Sequence, residues 1–132
     1  MIKVIFDPEN DLLMSEINGK KSMNLKISEG PSPLELLLIS LGACAAITLY
    51  KSLVIRGGKV KSIEVTLMRP DAVDNRCDHV KEIMMEYSIV AGNITPNEAE
   101  EIAMSSLRNE CTIAKILAQK MNYHLKVRFK KA

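Results

Sequence analysis

Tryptophan is absent from the 132 residues, and only two Phe and three Tyr are present. The core must therefore be aliphatic, with eight Met as adaptable fillers. So few aromatics also exclude the base-stacking platforms on which single-strand nucleic-acid binding depends. Charge of one sign is lacking as well. Eighteen basic against sixteen acidic residues leave +2, too little to call for a polyanionic partner.

Long uncharged runs are missing too. The longest, Leu36 to Tyr50, has 15 residues, where a membrane span needs about 20, so it reads as a core helix. Asp7 and Pro8 interrupt the N-terminus before any export signal could form. The three cysteines are an odd number and too few for a disulfide scaffold. These features predict a cytoplasmic protein with reduced thiols, whose roles would be redox, catalytic or metal-binding. No Gly-rich phosphate loop or Ser-centred nucleophile elbow is present. No resident cofactor and no metal are expected.

What is there has the ordinary globular balance, 47% hydrophobic and 26% charged. No linker, repeat or low-complexity tract divides it, so a single domain over residues 1–132 is expected. Ile2, Val4 and Phe6 alternate as a strand before the turn at residues 7–11. A second strand near Leu12 to Ile17 ends at Asn18-Gly19, a hairpin signal, and Met23, Leu25 and Ile27 mark a third. Ser32, Pro33 and Glu35 form a capping box that opens a helix running to about Arg56 and stopping at Gly57-Gly58. Its first two-thirds are apolar on nearly every side, which predicts burial all round. A chain this small can hardly enclose such a helix alone, so a homodimer is expected.

Ile63, Val65 and Leu67 mark a fourth strand; Ile83, Met85, Tyr87 and Ile89 mark a fifth, after a polar loop over residues 69–79. Thr95, Pro96 and Glu98 repeat the capping pattern, and apolar positions recur from Ala99 to Met121 as one helix or two broken near Asn109 to Cys111. Tyr123, Leu125, Val127 and Phe129 line the inner face of a last strand, with His124 and a basic row outside. Grouped strands and helices of this kind predict an α+β fold.

Four residues or pairs invite chemistry. Cys44 lies among Gly42, Ala43, Ala45 and Ala46, which let another backbone or a ligand approach; a buried, inert core thiol is the competing reading. Cys111 would sit at a helix N-terminus if a helix starts there, where unpaired amides favour a thiolate and Glu110 opposes it. Glu35 is an acid–base candidate that capping already explains. Cys77 and His79 supply two ligands, short of the usual four for structural zinc.

The run Pro33-Leu34-Glu35-Leu36-Leu37-Leu38, followed by Leu41-Gly42-Ala43-Cys44, resembles the central helix of OsmC/Ohr proteins. Cys111, the helical segment after it and the order of elements extend the resemblance over essentially the whole chain. The resemblance implies an intertwined homodimer with the central helices in the middle and each active site built from both subunits. It implies thiol-dependent reduction of organic hydroperoxides. Cys44 would be the peroxidatic thiolate and Cys111 the thiol that closes a disulfide with it. A dithiol reductant, lipoyl or another small thiol, would restore both; nucleic acid and membrane have no part.

The family's hydroperoxidases stabilise the thiolate with an N-terminal arginine, whereas no arginine precedes Arg56 here. Lys20, Lys21 and Lys26 lack the planar fork of an arginine. Their catalytic glutamate falls at Leu34, with Glu35 displaced by one position, about 100° around a helix. Thr112 stands where proline commonly follows the second cysteine. These departures point to the broader OsmC-like branch. They keep a second reading in view: a non-catalytic protein of this fold that binds an apolar ligand in the dimer cleft or senses thiol oxidation.

Overall fold

The computed structural model describes residues 1–68 and 82–132. The loop expected over residues 69–79, with Cys77 and His79, lies outside the described residues. Among the described residues nine elements follow in the predicted order: strands β1 (Ile2–Asp7), β2 (Leu12–Ile17) and β3 (Lys20–Lys26), helix α1 (Pro33–Ile55), strands β4 (Lys59–Met68) and β5 (Glu82–Gly92), helices α2 (Pro96–Asn109) and α3 (Thr112–Leu117), and strand β6 (Asn122–Lys131). The fold is α+β, as its sequence pattern predicts. Two compact units divide it, Met1–Leu37 and Leu38–Ala132.

The first unit is an antiparallel meander, β1-β2-β3. Asp7 accepts hydrogen bonds from the Glu9 and Asn10 amides and turns the chain after β1. Asn18 and Gly19 both take positive φ, 51° and 80°, as the tight hairpin between β2 and β3 requires. At the start of α1 the Ser32 amide donates to Glu35 and the Glu35 amide to Ser32, which is the capping box expected there.

The second unit holds the core. β5 is the central strand of its sheet, antiparallel to β4 and parallel to β6. Strict alternation along β5 turns Ile83, Met85, Tyr87, Ile89 and Ala91 to the buried side. The β5–β6 register brings acids to bases on the outer face, where Glu86 pairs with Arg128 at 2.8 Å and Glu82 meets His124 at 3.7 Å. Thr95 and Glu98 exchange the two hydrogen bonds of a capping box at the start of α2.

α1 ends one residue earlier than expected, at Ile55. Gly57, at φ +87°, donates to the Val54 carbonyl and Gly58 to that of Leu53, the paired bonds of a left-handed helix stop. By length and composition α1 could cross a membrane. Its buried residues instead join the core of the second unit: Leu41, Ala45, Leu49 and Leu53 lie with Ile83, Met85 and Ile89. Burial all round is not reached within one chain. One chain covers one side, and Ile39, Ile47, Tyr50 and Val54 stay about half exposed, a single sheet being able to cover only one face of a helix.

Candidate functional site

Cys44 lies at the midpoint of α1, two residues after Gly42. A Cβ on Gly42 would stand 2.9 Å from Leu67 Cδ1 of β4, so the glycine lets helix and sheet approach closely at this level. The helical repeat places Thr48 and Ser52 on the Cys44 face, one and two turns on. The Thr48 hydroxyl donates to the Cys44 carbonyl at 2.7 Å. The Ser52 hydroxyl donates to a Glu110 carboxylate oxygen at 2.8 Å, tying α1 to the break between α2 and α3.

That break answers the one-helix-or-two question. α2 ends at Asn109, and the amides of Glu110 and Cys111 both donate to the Ser106 carbonyl, which closes the helix. Cys111 is then the residue before α3, extended at φ −76° and ψ 106°, with its carbonyl accepting from Lys115. Its side chain is wholly buried.

Both cysteines are free thiols, near enough that each shifts the ionisation of the other. At Cys44, burial pushes the thiol pKa up. It is outweighed by the Ile113 amide, the Cys111 thiol, the Thr112 amide and the Thr48 hydroxyl, so the net value falls below that of an ordinary thiol. Thr48 contributes least, since its single proton is already engaged by the Cys44 carbonyl. At Cys111, burial pushes the thiol up to about 11; the Ala114 amide offsets part of this, while Cys44 adds to it. Ionisation is therefore easier at Cys44 than at Cys111. Two tyrosines feel both the burial and the charge. Tyr123 is pushed up to about 12, by burial first and Cys111 second, and its hydroxyl donates to the Ala114 carbonyl at 3.0 Å. Tyr87 is raised further, by burial and then by both cysteines.

Of the residues predicted from sequence, the structure thus joins Cys44 and Cys111. Glu35 belongs to the first unit and caps α1. Among the described residues no three of His, Cys, Asp and Glu cluster to hold a metal ion. The sequence reading missed the amides of Thr112 and Ile113, the Thr48 and Ser52 hydroxyls and Tyr87. The i, i+4, i+8 spacing from Cys44 was the one available signal for the hydroxyls.

A family model described as OsmC-like protein matches residues 26–126. The chain belongs to the OsmC-like family. Solved structures share its fold over nearly their whole length. A protein from Aquifex aeolicus VF5 is 21% identical, with 100% of this chain and 96% of that one covered at a TM-score of 0.81. An OsmC-like protein from Mycoplasma pneumoniae is 14% identical, covering 100% and 96% at 0.75. OhrB of Bacillus subtilis, an organic hydroperoxide resistance protein, is 15% identical, covering 98% and 96% at 0.52. No curated protein matches the chain.

Proposed function

We propose that this OsmC-like protein is a thiol-dependent peroxidase that reduces organic hydroperoxides through Cys44 and Cys111. The observation that carries the reading is the pairing of a stabilised Cys44 sulfur with the buried Cys111 sulfur at the start of α3. The Cys44 thiolate attacks the peroxide O–O bond. An S–O bond forms, the O–O bond breaks, and the alcohol leaves after taking up a proton, with Cys44 as a sulfenic acid. Cys111 then loses its proton and attacks the Cys44 sulfur. The S–S bond forms, and hydroxide leaves as water. A dithiol reductant returns both thiols by exchange.

The reading takes residues 1–132 as one domain working in the cytoplasm as a homodimer. The half-exposed row Ile39, Ile47, Tyr50 and Val54 on α1 supports a partner, because apolar surface of this kind is stable when covered. The test is consumption of an organic hydroperoxide in the presence of a dithiol. Turnover is expected from the wild type, and none above background from Cys44→Ser. Equal rates for the two proteins would overturn the reading.

A further inference from the structure

One buried polar atom has no part in the steps above. Tyr87 has no accessible surface, yet its hydroxyl finds no hydrogen-bond partner among the described residues. Leaving a buried hydroxyl unpaired is costly, and phenylalanine would fill the same space without that cost. Tyr123, the other tyrosine beside Cys111, does have a partner in the Ala114 carbonyl. In the dithiol state neither sulfur, nor any other acceptor among the described residues, lies within hydrogen-bonding reach of the Tyr87 hydroxyl, so its acceptor must arrive with a change at the site.

The surroundings say which. Tyr87 stands on the central strand β5, facing the core cluster that includes Cys111, with Cys44 packed against it. Negative charge on either sulfur holds the Tyr87 proton more tightly, Cys111 more than Cys44. The titratable groups that face Cys111 are Cys44 from α1, Tyr87 from β5 and Tyr123 from β6. Tyr123 is engaged, and Cys44 has been oxidised by the time Cys111 must ionise.

We propose that the Tyr87 hydroxyl is the hydrogen-bond donor that receives the Cys111 thiolate in the disulfide-closing step. The inference rests on the Cys44–Cys111 cycle proposed above. The phenol keeps its proton throughout. Cys111 loses its own to solvent, the S–S bond forms, and the Cys44 S–O bond breaks with release of water. A neutral donor lowers the cost of a buried anion without itself titrating.

The experiment compares wild type with Tyr87→Phe after one equivalent of an alkyl hydroperoxide. Sulfenic acid is trapped with a dione reagent, and disulfide is followed by mass. Sulfenic acid should form at the same rate in both, while closure slows roughly ten- to a hundredfold in the variant, the usual loss of one hydrogen bond to a charged group. Thermal stability should be unchanged or higher, since an unpaired hydroxyl has been removed. Equal closure rates overturn the proposal. A ring-fluorinated tyrosine at position 87, nearly the same size and a stronger donor, should speed closure, and an unchanged rate again overturns it.

Should the wild type form sulfenic acid without any disulfide, the cycle itself fails. Tyr87 is then judged separately by titrating Cys111 in a Cys44→Ser background. Adding Tyr87→Phe should move the midpoint upward, and an unmoved midpoint overturns the role of Tyr87 alone.

Discussion

The Ile113 amide at the start of α3 lies near enough to Cys44 of α1 to draw its thiol pKa down, so a backbone group of one helix acts on a side chain of another. Thr112 adds a second amide from the same helix start. Among the described residues no cationic side chain depresses the Cys44 pKa; the positive end of a short helix does that work through unpaired N–H groups.

Thiolate reactivity should follow from those amides. Because the Cys44 pKa is depressed, its alkylation by iodoacetamide should persist to lower pH than that of a free thiol, whose midpoint is ~8.5. Thr112→Pro deletes one of the two donors. Proline is tolerated as the first residue of a helix, and the extended Cys111 backbone suits a following proline. The variant should fold and its alkylation midpoint should rise. A midpoint equal to wild type would deny the amides their role.

Cys111 makes the opposite prediction. Its folded pKa, about 11, lies above the unfolded value of ~8.5. Between these pH values the unfolded chain has released a proton that the native state still holds. Stability should therefore fall as pH rises through that window, and be flat below it on account of this group. Urea midpoints measured from pH 8 upward should show a shallower decline in Cys111→Ala than in wild type. Identical slopes would contradict the assignment.

Two glycines should respond differently to alanine. At Gly57 the positive φ makes any side chain strained, and Gly57→Ala should cost about 1–2 kcal/mol. At Gly42 the new methyl crowds the flexible end of Leu67 and makes ordinary contact with Val65, and alanine improves helix propensity by up to about 1 kcal/mol. Gly42→Ala should therefore be close to neutral. Chemical denaturation of both variants settles the comparison; a reversed order would mean the helix stop carries no strain.

The exposed row on α1 predicts self-association. Sedimentation at micromolar concentration should give a dimer. Ile47→Glu places a charge in the middle of that row and should yield monomers without unfolding the second unit, since Ile47 is outside its core. A wild-type monomer would refute the homodimer.

Local features were readable from the residues because each is decided by near neighbours. Asn18-Gly19, Thr95 with Glu98, and the alternation along β5 and β6 all behave as the pattern says. Which side of α1 its own chain covers was not legible, because an apolar helix surface does not say whether its own chain or a second one covers it. The company of Cys44 was hidden for a different reason. Every residue but proline has an amide, so nothing in the letters of Thr112 and Ile113 marks them as donors to a distant sulfur. Tyr87 was visible only as an inward strand position; its missing partner emerges when the neighbours are in place.

The interruption at Glu110 and Cys111 is only two residues long, and its length matters more than its letters. Each added residue would lengthen the joint and displace the start of α3, carrying the second thiol away from the first. This joint should therefore tolerate substitutions yet reject insertions, even conservative ones. A single alanine inserted after Asn109 should leave a folded protein whose two sulfurs can no longer be cross-linked to each other.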